Sequence, residues 1–207
     1  MRIRTSERLC RWVHITRPAD MWTPIRLYRA LWPRGPAFLF ESVEGGAYLA
    51  RYSFIGLEPV RIYCVHDRQM IERSSQGTRI HDLARVHPFA VWREALAELD
   101  AASGDEPLPR FIGGLAGYLG YEMAAFFDRV PRAPSRDLAF PDAVLMQMGT
   151  LLALDHVTQT LSLFAWVAPG EEAEAKARLE ALLERLPEVP PPEEPAPRPP
   201  APASSWK

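Results

Sequence analysis

Two periods of hydrophobic repetition alternate along this chain, one of two residues and one of three to four, and together they predict a mixed fold. Thr23-Pro24 places an N-cap residue before a proline at the first helical position. Ile25, Tyr28, Leu31 and Trp32 then follow at helical spacing until Pro33 and Gly35 stop them. Ala37 to Phe40 is an apolar run too short for a helix, Gly45-Gly46 is a turn, and Tyr52 to Ile55 is aromatic and β-branched. Strand, loop and strand are therefore expected. Pro59 separates these from Val60 to Val65, where Val60, Ile62 and Cys64 alternate with Arg61 and Tyr63. A turn at His66-Asp67 returns the chain through Met70 and Ile71 as a hairpin, and Ser74 to Arg79 reads as a polar loop.

Pro88 opens a second helix in which Phe89, Trp92, Leu96 and Leu99 recur every three or four positions, with Gly104, Pro107 and Pro109 beyond it. Phe111 to Gly120 is rich in glycine. It predicts a strand ending at Gly113-Gly114, then tightly packed backbone leading into a short helix from Tyr118 to Phe127. Pro131 to Pro141 is a loop. Ala143 to Leu154 and Thr158 to Val167 form the longest strand pair, joined by Asp155-His156-Val157, and the apolar continuity of the first predicts burial on both faces. Glu171 to Leu186 makes a third helix, acidic at its start as the helix dipole prefers, with Leu179, Leu182, Leu183 and Leu186 as its apolar stripe. Arg2 to Ile15 suits an edge strand or an irregular segment. The expected fold class is α+β, an antiparallel sandwich-like core with helices at its periphery.

Length and composition add a domain boundary. Nine of the 21 prolines fall between Pro187 and Pro202, a composition that cannot build a core. The 207 residues therefore divide into one domain over 1–186 and a proline-rich linker over 187–207. With 47% apolar residues a core is affordable, and a net charge of -2 gives no reason to expect nucleic acid as a partner. No apolar run approaches the ~20 residues that span a bilayer, so no membrane partner is expected either. The first twenty residues hold five arginines without an apolar signal-peptide core, which points to the cytoplasm. Cys10 and Cys64 lie far apart and read as reduced thiols.

Catalytic and metal-binding groupings are not found. The five histidines stand at no metal-ligand spacing, and no HExxH, GxSxG or paired-carboxylate pattern occurs. His81 and Asp82 read as solvated loop residues, and His156 as a hydrogen-bonded turn residue. The glycines from Gly113 to Gly117 are followed by no lysine at nucleotide-loop spacing, which favours close backbone packing over a phosphate cradle. Chemistry concentrates around the first strand, loop and strand. Glu41 and Ser42 close one strand while Arg51 and Ser53 flank the other: a carboxylate for an ammonium, a forked cation for a carboxylate, and two hydroxyls. An amino acid carries both charges. The plainer alternative is a surface ion pair between Glu41 and Arg51.

Leu39-Phe40-Glu41-Ser42, Ala50-Arg51-Tyr52-Ser53-Phe54 and Gly56-Leu57-Glu58-Pro59 resemble the Leu-Leu-Glu-Ser, Gly-Arg-Tyr-Ser-Phe and Gly-x-x-Pro segments of one family. It is the N-terminal domain of anthranilate synthase component I, among the chorismate-utilising enzymes. Phe111 through Glu122, and Pro141-Asp142-Ala143 leading to Leu154-Asp155-His156, match further segments in order. The resemblance implies a part of a lyase of tryptophan biosynthesis that converts chorismate to anthranilate and pyruvate, with ammonia from a glutamine amidotransferase subunit. In that family the Mg²⁺-binding and acid–base residues lie in a larger C-terminal chorismate-binding domain. This chain is expected to lack that domain, to hold no cofactor and to be inactive alone. The resemblance further implies a regulatory role, the binding of L-tryptophan as feedback inhibitor, centred on Glu41 and Ser42. Leu39, Arg51, Tyr52 and Ser53 are further members, with Leu39 and Phe40 toward the indole. Phe40 and Ala50 depart from the usual Leu and Gly. The N-terminal domain of aminodeoxychorismate synthase component I and a stand-alone amino-acid-binding module are the alternatives.

Overall fold

The structure, a computed structural model, describes residues 11–31, 35–41, 51–99, 108–130 and 140–186. Eight strands among these residues make one sheet: β1 (Arg11–Pro18), β2 (Phe38–Phe40), β3 (Tyr52–His66), β4 (Gln69–Ser74), β5 (Gly77–Asp82), β6 (Leu115–Leu119), β7 (Ala143–Asp155) and β8 (Thr160–Val167). Among the described residues three α-helices, α1 (Pro24–Ala30), α2 (Pro88–Ala97) and α3 (Glu172–Glu184), and a 3-10 helix (Tyr121–Phe126) accompany it. Every strand pair is antiparallel, in the order β1-β8-β7-β3-β4-β5, with β2 added to β3 and β6 added to β7.

The spine is the pair β3 and β7, matched from Tyr52↔Asp155 to Val65↔Ala143. Pro59 does not divide β3 in two, as its sequence suggests, but sits in a bulge where the register slips between Pro59 and Arg61 and Glu58 takes φ 51°. A bulge tolerates a residue without an N–H and bends the strand that carries it. On one side of the bulge β3 pairs with β2 and β7 with β8; on the other β3 pairs with β4 and β7 with β6. One sheet thus bends into two halves that share their central strands, which gives the antiparallel, sandwich-like core its form.

Three apolar clusters fill this frame. On one face of the first half, Leu27 of α1 and Leu179 of α3 pack on Ile15, Leu57, Leu152, Leu154 and Leu163. Against the second half, Val91, Trp92 and Ala95 of α2 meet Tyr63, Val65, Met70 and Met123. The remaining face carries Phe38, Ala116, Met148, Leu151, Ala153 and Phe164, with Phe54 and Phe111 against them. Leu27, Met70, Leu163 and Phe164 are fully buried. Each such side chain contributes about 1.5–3 kcal/mol by leaving water. Residues 147–155 of β7 are buried throughout, as a strand covered on both faces must be.

Thr23 caps α1 as its position predicts, its Oγ1 accepting from Arg26 N at 3.3 Å. Two segments differ from expectation. The polar stretch after Ser74 is not a loop: a tight turn leads into β5, an edge strand whose residues are mostly exposed and whose composition is therefore polar. His81 belongs to it and is not solvated, since its Nε2 donates to Glu72 Oε2 at 2.8 Å and its side chain is 16% exposed. After Gly113-Gly114 the chain forms β6, and the helix that follows is a single 3-10 segment starting at Tyr121. Gly117 explains the choice. It has φ +155°, and a Cβ there would run into the Val144 carbonyl oxygen, so β6 lies as close to β7 as a glycine permits. The proposed linker, 187–207, lies outside the described residues.

Candidate functional site

The described candidate residues lie where β2 ends, β3 begins and β7 ends. Alternation along β3 separates them. Phe38 and Phe40 face the same way as Gly56 and Phe54, their cross-strand partners, and Tyr52 joins this aromatic face opposite Asp155. Leu39 lies opposite Ile55 and Ser53 opposite Leu154, on the face that packs against α1 and α3. Leu39 is half-buried there, and Ser53 is 1% exposed. Glu41 follows β2 and is exposed. Ser42 lies outside the described residues.

Arg51 is already engaged. Its Nη2 donates to Asp155 Oδ2 at 2.7 Å, and its Nε to Oδ2 at 3.0 Å and Oδ1 at 3.2 Å, a fork matched to a carboxylate. The same guanidinium carbon stands 4.9 Å from the centroid of the Tyr52 ring. Asp155 also accepts from Val157 N at 2.9 Å and Thr158 N at 3.3 Å. Burial raises the Asp155 carboxyl, but the Arg51 hydrogen bond and the two amides outweigh it and hold the group at about 2. Burial, with the charge of Asp155 beside it, pushes the Tyr52 hydroxyl up. On the opposite face Ser53 Oγ and His156 Nε2 share a hydrogen bond of 2.8 Å, and His156 N donates to Arg51 O at 2.8 Å. His156 thus has the hydrogen-bonded turn role expected of it.

The aromatic face forms a shelf beside these groups. Tyr52 and Phe54 are stacked at 5.8 Å, Phe54 meets Phe111 edge-on at 5.5 Å, and Phe38 stacks on Phe40 at 4.3 Å. Phe40 remains 46% exposed. Such a shelf offers ring faces to a flat apolar ligand, and Glu41 offers a carboxylate to a cation. Asp155, Phe54 and Phe111 are the members that sequence reasoning missed. Asp155 stood at the end of an apolar run, yet nothing local pairs it with a residue 104 positions away. An open cavity of about 500 Å³ lies elsewhere, between Trp22, Leu161, Leu183 and Glu184, and no candidate residue lines it. Among the described residues no three His, Cys, Asp or Glu side chains stand close enough to hold a metal ion. No described helix is long and apolar enough to cross a membrane.

No protein-family model matches the chain. Individual proteins do. Anthranilate synthase component 1 of Pseudomonas aeruginosa is 34% identical over 173 residues, 81% of this chain and 35% of that protein. The chain is a homologue of anthranilate synthase component 1. The Acinetobacter calcoaceticus component 1 is 33% identical over 184 residues, 86% of this chain and 37% of that protein. The crystal structure of anthranilate synthase component I from Streptococcus pneumoniae superposes with a TM-score of 0.50 at 19% identity, covering 84% of this chain and 36% of that one, and supports the fold. The chain spans about a third of the length of the component 1 proteins it matches.

Proposed function

We propose that this chain is the N-terminal regulatory region of an anthranilate synthase component 1, and that it holds part of the site at which L-tryptophan acts as feedback inhibitor. The observation that supports the reading is Glu41, an exposed carboxylate that directly follows Phe40, the last residue of β2, whose ladder partner Phe54 is stacked with Tyr52. Glu41 meets the ligand's ammonium, Ser42 adds a hydroxyl to it, and the aromatic shelf takes the indole. The reaction, formation of anthranilate and pyruvate from chorismate with Mg²⁺ and ammonia from a glutamine amidotransferase, belongs to a catalytic region that completes the same pocket.

Calorimetric titration with L-tryptophan tests this, with and without the catalytic region of a component 1 supplied in trans. Binding is expected to be weak to the chain alone and to tighten when the second wall of the pocket is present. A hydrogen bond to a charged ligand group is worth about 1.5–3 kcal/mol, so Glu41→Ala or Ser42→Ala should weaken binding by roughly tenfold or more. Affinity unchanged by either substitution would remove the site from this end of β2.

A further inference from the structure

Alternation along β1 puts Arg17 on the same face as Ile15, and Arg17 stands opposite Leu161 of β8 as Ile15 stands opposite Leu163. Ile15 and Leu163 are buried in the cluster that α1 and α3 cover, whereas Arg17 and Leu161 line the open cavity of about 500 Å³. That volume falls within the roughly 300–1,000 Å³ of small-molecule sites. Helix α3 supplies part of the lining. Glu180, Leu183 and Glu184 stand at spacings of three and four, on one helix face, and all three line the cavity. Trp22 adds an indole. Its backbone is fixed by a turn in which Trp22 N donates to Ala19 O at 3.0 Å and Ala19 N donates to Gln159 O at 2.8 Å. The residue is half-buried and packs on the same cluster as Leu183 and Leu161.

The charged side chains of this lining do not neutralise one another. Among the described residues Glu180 and Glu184 have no ion-pair partner, and Arg17 Nη1 donates back to Thr16 O at 3.0 Å. Two carboxylates four residues apart on a helix repel each other, and a cation between them removes that repulsion. An indole ring attracts the same cation through its face. We propose that this cavity binds a small organic cation, an ammonium carried on a flat apolar body. Glu180 and Glu184 meet the ammonium, and Trp22, Leu161 and Leu183 take the apolar part. None of Glu41, Arg51, Tyr52 and Ser53 lines the cavity, so the proposal stands apart from the reading of the β2 end as an L-tryptophan site.

The test reads Trp22 directly. The full chain, labelled with nitrogen-15, carries six tryptophans, and the indole N–H signal of Trp22 is identified by its loss in Trp22→Phe. The probe is 2-(1-naphthyl)ethylamine, with 3-(1-naphthyl)propionate as the same ring on an anion. The amine should shift the Trp22 signal to saturation, half-way at about 1 mM, the affinity that ordinary ligand efficiency gives about 13 non-hydrogen atoms. The propionate should leave the signal in place at the same concentrations. Glu180→Gln and Glu184→Gln, both at exposed helix positions, should each weaken the amine about two- to fivefold, and together about tenfold. Arg17→Gln should bind it equally or more tightly, since a positive neighbour is removed. Glu41→Ala should leave the titration unchanged. The remaining indole signals, unmoved by substitution, show that each variant keeps its fold. Absence of a saturable shift, a propionate as effective as the amine, or a double variant that binds like wild type overturns the proposal. A shift lost in Glu41→Ala moves the cation to the end of β2 and overturns it as well.

Discussion

Asp155→Asn removes one negative charge while leaving Oδ1 in place to accept from Val157 and Thr158, and its effect on stability should follow pH in a way set by the structure. In the folded protein the Asp155 carboxyl sits at about 2, against an ordinary 3.8. Its stabilising contribution is therefore complete above pH 3.8, where the unfolded chain is also ionised, and is lost as pH falls through 2, where the folded group takes up its proton. At about 1.36 kcal/mol per pH unit the difference amounts to about 2.5 kcal/mol. Arg51 is 43% exposed, so solvent screens part of its share, and about 1–2 kcal/mol is the better expectation. Urea unfolding of the wild type and of Asp155→Asn at pH 7, 5, 3.5 and 2.5 measures it. The gap should be constant between pH 7 and 5, begin to close below pH 3.8 and be mostly gone near pH 2. A gap that stayed the same down to pH 2.5, or none at pH 7, would show that the Arg51 bond does not hold this carboxyl down.

Other substitutions test the frame that positions the site. Gly117→Ala puts a Cβ against the Val144 carbonyl at φ +155°, and should cost about 2–3 kcal/mol in chemical denaturation, far beyond an exposed glycine such as Gly35 with open space around it. Leu163→Ala empties a fully buried position between the first half of the sheet and its helices and should cost about 2–5 kcal/mol by the same assay. Thr23→Ala removes the oxygen that accepts from Arg26 N and should lower stability by about 1 kcal/mol, with Thr23→Ser restoring it.

Much of this fold is legible in the order of residues because local rules and packing agree. Thr23-Pro24 names the start of α1, and the continuous apolar run in β7 announces a strand covered on both faces. β5 was hidden because an exposed edge strand buries little, so Gly77 to Asp82 carries no apolar alternation to read. β6 was hidden for the opposite reason. Its one glycine, Gly117, which with Gly113 and Gly114 before it looks like a loop or a turn into a helix, is there because the neighbouring backbone of β7 leaves no space for a Cβ. At the site, Glu41 and Tyr52 could be nominated from the polar pattern and the family resemblance. The sorting of Leu39 and Ser53 to the helix-covered face, and of Tyr52 to the aromatic one, follows from β3 pairing register. Arg51 shows the limit most clearly. Arg51 reads as a candidate ligand residue from the sequence, and the carboxylate it pairs with, Asp155, comes into view only when β7 is brought alongside.

Tryptophan inhibition of anthranilate formation, measured with this chain and the catalytic region of a component 1 reconstituted together, tests the regulatory reading most directly. Ser42→Ala or Glu41→Ala should shift the inhibition curve to roughly tenfold or more higher L-tryptophan while leaving the uninhibited rate nearly unchanged. A Ser42→Ala protein that lost turnover yet kept its full sensitivity to L-tryptophan would contradict it.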